Sequence, residues 1–362
     1  MFVYNLIFIL LFIFLLLNQL IKYKIFENIL LIIVFITFVL LAGLRYNISS
    51  DYFEYKNTFQ FINENGTFTQ YFIEPGYIYL NKLVGYFTDN FNILLLVIAL
   101  LSIGCKFYFI NSLSQDRLLS SLLLFSFYLL LYDLGAIRRG LALGICSIAI
   151  IFYIKDKIRN TIICILFAAL FHSSVLIFLP FLFFKKVKIY LFLFIFIIFL
   201  SYILQYILNN VAYFQFLSQS NNPILIKAYG YFESGDYFVE NNTLSFGFFI
   251  RIILIFFLII NKNVNYLIHN YKHEKLLFLY IISMSILIIF DKLHIFSSVA
   301  IYFKFVEIIL IPYFIYSLNK FQKIFSYTLL IIYLYLSLYK LINNPIEKDF
   351  YPYQSILNEA LY

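Results

Sequence analysis

Tryptophan is missing from this 362-residue chain, and methionine (2), cysteine (3), proline (6) and glycine (11) are all scarce. Charge is thin too, with only 12% Asp, Glu, Lys and Arg. Each shortage removes a class of answers. Cys105, Cys146 and Cys164 sit in apolar runs without metal-ligand spacing, so they read as small core residues and no disulfide is expected. No glycine-rich phosphate loop, internal repeat or coiled-coil heptad occurs. There is no H-E-x-x-H, no paired D-x-D and no G-x-S-x-G, so hydrolase and metal-dependent transferase readings lack a motif. A chain that is 64% hydrophobic is not a soluble globule.

What remains is long apolar runs rich in phenylalanine (47) and tyrosine (33), with a mean hydropathy of +0.92. Without tryptophan, those two residues must supply the interfacial aromatic belts. Runs of about 20 apolar residues cross a bilayer. Candidate spans are 2–20, 28–44, 91–111, 118–134, 136–154, 189–209, 246–261, 276–290, 296–318 and 323–341. The run 2–20 lacks a basic start and a small-residue cleavage site, and reads as a retained helix. The expected fold is all-α: one integral membrane domain over 1–362, a polytopic bundle of about 10–12 membrane segments.

Basic loops set the orientation. Lys22 and Lys24, Lys106 and Arg117, "KDKIR" (155–159), "NKNVNYLIHNYKHEK" (261–275) and "NKFQK" (319–323) are all placed in the cytoplasm. The formal charge of +8 then reflects loop lysines and arginines meeting lipid head groups, not a nucleic-acid site. Loops 45–90 and 210–245 fall outside, and both are expected to carry short amphipathic helices. In the first, Pro75 suits a first helical position after Glu74, and Tyr77, Leu80, Val84 and Phe87 follow helical spacing. The run 160–184 has basic loops on both sides, "KDKIR" and "KKVK" (185–188). A re-entrant hairpin turning near "FHSS" (171–174) satisfies both, and a single span is the rival reading. In the hairpin, His172, Ser173 and Ser174 occupy a wet, enclosed turn.

Charges inside apolar runs are costly and are functional suspects. Arg138 and Arg139 in "YDLGAIRRGLALG" sit at an outer turn, where the positive-inside rule disfavours them. Asp133 is a candidate partner for one, and a bound anion for the rest. Arg45 ends the second span at the same level, and Arg251 lies just inside a later one. The rival reading for both is snorkelling to head groups. Lys304 and Glu307 are one turn apart and read as an intrahelical pair. His269 and His273 have metal-like spacing but sit in a polar loop with no third ligand, so they read as solvated. Arginine forks match phosphate oxygens, and tyrosine-rich lids suit sugars. Together these describe glycosyl transfer from a polyprenyl-diphosphate sugar, with a carboxylate or imidazole as base.

Five pieces stand in order: "GLRYNISSDYFEY" (43–55), "EPGYIYLNKL" (74–83), "IRRGLALGI" (137–145), "LFHSSVLIFLP" (170–180) and "YPYQSILN" (351–358). In them the chain resembles the EpsG family of bacterial exopolysaccharide membrane proteins, grouped with Wzy-type polymerases of O-antigen and capsule. The family pattern carries over onto Arg45, Tyr46, Asp51, Tyr52, Glu74, Pro75, Gly76, Arg138 and His172. Two departures stand out: Arg139 where the family often has Gln, and Ser298 where it often has Arg.

The resemblance implies a metal-independent, cofactor-free polymerase of undecaprenyl-diphosphate-linked oligosaccharide repeats, in the bacterial inner membrane. A chain-length regulator and a flippase are its expected neighbours. In this reading Arg45, Arg138, Arg139 and Arg251 hold the diphosphate, and Tyr46 and Tyr52 face sugar. The base is one of Asp51, Glu74 and His172. A flippase, a membrane acyltransferase and a single-sugar transferase are the rival functions.

Overall fold

A backbone in hydrocarbon must satisfy its own N–H and C=O groups, so apolar runs of this length become helices. The computed structural model describes residues 1–21, 23–65, 73–184, 191–208, 245–260, 272–291, 298–343 and 350–359. Loop 210–245 apart from Ser245, "KKVK" and His269 lie outside them. The described residues are helical, and their only strand-like pairing is an isolated bridge between Arg45 and Ser355. The fold class is thus the expected one: an all-α polytopic membrane bundle.

Among the described residues, six helices are long and apolar enough to cross a membrane. They are α1 (Phe2–Ile21), α2 (Lys24–Gly43), α5 (Phe91–Leu113), the continuous Arg117–Gly135 segment, α7 (Ile137–Ile154) and α14 (Lys320–Ile342). In the fourth, α6 (Arg117–Leu124) widens into a π-helix over Phe125–Gly135. Other predicted spans appear as shorter or more polar helices: α9 (Leu191–Leu208), α10 (Phe246–Ile260), α11 (Lys272–Ile289), α12 (Ile301–Lys304) and α13 (Glu307–Tyr316).

The chain divides into two compact units, Met1–Leu179 with Ile315–Tyr362, and Pro180–Phe314. In the second unit, Arg251 on α10 donates to Glu307 on α13 from Nε (2.7 Å) and Nη2 (3.3 Å). The Tyr280 hydroxyl on α11 adds a third bond to that carboxylate at 2.9 Å. Glu307 thus binds across helices, not chiefly to Lys304 one turn away as its spacing suggested. A buried carboxylate with a forked arginine gains more than a snorkelling pair does.

In the first unit, two short helices follow α2. They are α3 (Tyr52–Asn65) and α4 (Pro75–Gly85). On α3, Tyr52, Tyr55, Phe59 and Ile62 are buried at helical spacing, and Tyr52 and Phe59 pack on Phe91 of α5. On α4 the buried stripe is Tyr77, Asn81 and Val84. Phe87, expected on that face, is exposed, because the helix has ended at Gly85.

Lys106 was expected at a cytoplasmic turn. It lies inside α5, fully buried, with Nζ 2.7 and 2.6 Å from the two carboxylate oxygens of Asp133. Ser102 Oγ also donates to Asp133 Oδ1, at 2.6 Å. Asp133 therefore pairs with Lys106 and not with Arg138 or Arg139. A buried ion pair holds when both charges are fully partnered, and losing one partner costs about 3–5 kcal/mol.

After α7 the chain makes α8 (Ile158–Ala169), turns at Leu170–His172, and continues as a 3₁₀-helix over Ser173–Phe183. His172 meets Arg139 at one end of α7, while Phe178 rests against Tyr153 near the other end (ring centroids 6.0 Å apart). The segment therefore doubles back along α7.

Candidate active site

Three residues in "EPG" each do one job. Pro75 starts α4, where its missing N–H costs nothing. Glu74 precedes it at the helix cap, yet its carboxylate does not cap α4. It turns instead toward the 170–173 turn: Oε1 lies 3.1 Å from His172 Nδ1 and accepts from Ser173 N at 3.3 Å. Gly76 donates its N–H to the Leu170 carbonyl at 2.8 Å. A Cβ at this position would lie 2.7 Å from Leu170 Cβ and 2.8 Å from that carbonyl oxygen. Only glycine lets the two turns meet this closely. Gly76→Ala is expected to push Glu74 off His172 and slow any reaction at the pair by on the order of a hundredfold. Turnover at matched protein level checks this, and an unchanged rate would mean the close contact is dispensable.

The first turn of α7 brings the arginines. Arg138 and Arg139 are neighbours in sequence, so they leave the helix about 100° apart. Arg138 Nη1 donates to Glu74 Oε2 at 3.0 Å, and Arg139 Nε donates to His172 Nε2 at 3.2 Å. The carboxylate and imidazole are thus clasped from both sides. Gly140 lets the end of the π-helix lie close against the first turn of α7: a Cβ there would collide with the Tyr132 carbonyl. Arg138 also lies over the rings of Tyr55 (5.7 Å) and Tyr77 (5.8 Å), which stand edge-on to each other. Such contacts are worth about 0.5–2 kcal/mol each and hold the guanidinium in place without neutralising it.

The partners settle the proton positions. Arg139 Nε can only donate, so His172 Nε2 holds a lone pair and Nδ1 carries the hydrogen toward Glu74. Burial alone would raise the Glu74 carboxyl. Hydrogen bonds from His172 and the Ser173 N–H and the Arg138 charge outweigh it, holding the group down at about 2. Glu74 is therefore anionic at neutral pH and too weak a base to keep a proton. Burial raises the Tyr55 phenol to about 12 despite Arg138, so Tyr55 stays protonated. The cluster can orient an imidazole, accept a proton on it and present two cations beside it. Among the described residues no group of three His, Cys, Asp or Glu gathers as metal ligands.

The other predicted residues fall elsewhere. Arg45 is only 1% exposed; its Nη1 donates to the carbonyls of Ala42 (2.8 Å) and Asp133 (3.1 Å). It ties the end of α2 to the π-helix and does not reach solvent as a diphosphate ligand would. Burial lowers its guanidinium to about 10, so the charge persists. Its backbone segment is bridged by the tail, with Tyr46 N bonded to Gln354 O (3.0 Å) and Ile356 N to Leu44 O (3.1 Å). Tyr52, expected to face sugar, is 1% exposed and packed among Tyr46, Phe53 and Phe91. It belongs to the core. Tyr46 and Asp51 are half-buried, and Asp51 immediately precedes α3, acting on Tyr55 through its charge. Arg251 sits in the second unit on Glu307.

Sequence reasoning gave Tyr77 only a place in a helical stripe, gave Tyr55 no site role, and missed the Lys106–Asp133 pair. Tyr55 and Tyr77 lie inside the two quoted outer motifs, four residues after Asp51 and three after Glu74, so helical spacing alone could have put each beside an acid.

Apolar helices of membrane-crossing length around an ion-paired carboxylate, imidazole and two arginines define an integral membrane protein with a polar site set among its helices. Within that class the chain belongs to the EpsG family, whose model matches residues 28–355. That match takes in all four residues of the cluster. No curated protein and no solved structure shows significant similarity to the chain.

Proposed function

We propose that the protein is a membrane glycosyltransferase that polymerises lipid-linked oligosaccharide repeats, with undecaprenyl diphosphate as leaving group. The observation that carries this is the Arg138–Glu74–His172–Arg139 cluster, a base held next to two anion-binding cations. The acceptor hydroxyl oxygen attacks the anomeric carbon of the donor sugar, and the bond from that carbon to the diphosphate oxygen breaks. The electron pair leaves with the diphosphate, whose growing charge is met by Arg138 and Arg139. The hydroxyl proton passes to His172 Nε2, and Glu74 steadies the resulting imidazolium.

The clasp couples binding to chemistry. Arg139 covers the lone pair of His172 as long as no stronger anion is present. A diphosphate draws Arg139 away, and the base is bared only when the leaving group is in place. Tyr46 and Asp51, half-exposed on the segment before α3, offer a ring and a carboxylate to sugar. Arg45 and Tyr52 leave the proposed set because they are buried, and Arg251 leaves it because Glu307 holds it.

The test is elongation by purified protein supplied only with lipid-linked repeat units. Longer glycans should form with no nucleotide sugar or acyl donor added. A strict need for either donor would replace this reading with a single-sugar transferase or an acyltransferase. Transport of the lipid across the bilayer without elongation would replace it with a flippase.

A further inference from the structure

A cavity of about 920 Å³ lies in the first unit between α1 and α14, and none of the Glu74–His172 cluster lines it. The two helices run antiparallel. They touch where Phe8 meets Tyr335 (ring centroids 5.4 Å apart), and Asn343 Nδ2 reaches Met1 Sδ at 3.9 Å. Toward the start of α14 they part around the cavity. Its walls are mostly apolar, with Phe12 and Leu15 on one side and Ile324 and Ile331 on the other, and Asn18, Gln19, Gln115 and Thr328 add polar groups to the lining. Its mouth carries Lys24, Lys320 and Lys323.

The cavity's two acids are already engaged. Glu27 is bound by Arg117 at 2.6 Å. Asp116 accepts the Tyr327 hydroxyl at 2.5 Å and the Leu119 N–H at 3.0 Å. No ion pair within 4 Å involves any of the three lysines among the described residues; Lys323 instead lies over the Tyr316 ring at 5.0 Å. All three stand in the first turn of a helix, Lys24 in α2 and the other two in α14, where the macrodipole disfavours cations. An anion at the mouth would offset both costs. The volume falls in the range of about 300–1,000 Å³ that takes a small ligand.

We propose that this cavity is a binding site for a phospholipid with an anionic head group. An acyl chain lies between α1 and α14, and the phosphate sits among Lys24, Lys320 and Lys323. Charge and shape agree on this occupant: the apolar walls need a chain and the mouth needs an anion, and basic pockets between membrane helices hold anionic lipids in this way. The site is separate from the glycosyl-transfer reading and stands or falls without it.

The experiment is native mass spectrometry of the detergent-purified protein exposed to equal amounts of phosphatidylglycerol and phosphatidylcholine. The wild type should retain phosphatidylglycerol by roughly tenfold or more over phosphatidylcholine. The triple variant K24Q/K320Q/K323Q should lose that preference and still bind both lipids weakly. The groove-filling variant Thr328→Trp/Ile331→Trp keeps the lysines and should lose the lipid itself. Each variant is first matched to wild type in elution profile and helicity. Equal retention by the wild type, or an undiminished preference in the lysine triple, would overturn the proposal. Displacement of phosphatidylglycerol by soluble glycerol phosphate at comparable concentration would also overturn it, since the site would then read a free phosphate.

Discussion

If the protein is the proposed polymerase, His172→Gln is expected to stop chain elongation while the protein remains in the membrane at its normal level. The imidazole lies between Glu74 and Arg139, and its Nε2 accepts from Arg139 at 3.2 Å. Glutamine has an oxygen that can still accept from Arg139, so the clasp keeps part of its geometry. It cannot take up a proton at neutral pH. Removing a general base costs about 10²–10⁴ in rate. The length distribution of the glycan, together with single-turnover rates on lipid-linked repeats, measures it. Wild-type elongation in this variant would reduce His172 to a strut between α4 and α7.

Glu74 sets the pH behaviour of the same pair. Its folded value of about 2 lies below the ordinary 4.5, so its stabilising charge is fully present above that ordinary value. The contribution is lost only as pH falls through about 4.5 toward 2. Across the neutral range Glu74 is constant, and any change in rate there arises elsewhere.

Arg138→Ala should have the second large effect. Losing one donor to a developing oxyanion costs about 10²–10³ in rate. It also leaves Glu74 with one cation fewer and uncovers Tyr55 and Tyr77. Single-repeat lipid-linked product should accumulate in cells, with long chains absent. Arg138→Lys should rescue poorly. An ammonium keeps the charge but cannot serve Glu74, two rings and a phosphate with a planar fork. Full-length polymer in the alanine variant would remove Arg138 from the chemistry.

Much of this is legible in the sequence. Hydropathy marked the long helices because twenty apolar residues have few other folded forms in a bilayer. Pro75 marked the start of α4, Arg138 was singled out as a charge in a costly place, and His172 by the turn of the expected hairpin. The pairings were harder. Asp133 lies five residues from Arg138 in the chain, and proximity suggested a bond. The π-helix and the first turn of α7 instead turn its carboxylate toward Ser102 and Lys106. Lys106 itself looked like a loop residue because charge normally ends a span. A fully paired charge does not, and pairing is a property of two segments at once.

By itself the sequence determined the class, the helices and the short list of costly residues, since each follows from local composition weighed against hydrocarbon. Only the tertiary structure decided which of those residues meet. It placed Glu74, His172, Arg138 and Arg139 together across separations of up to 98 residues. It moved Arg45 and Tyr52 into the core and tied Arg251 to Glu307. The reason is range: hydropathy acts residue by residue along one helix. An ion pair needs two side chains within about 3–4 Å, which only the packing of separate helices can supply.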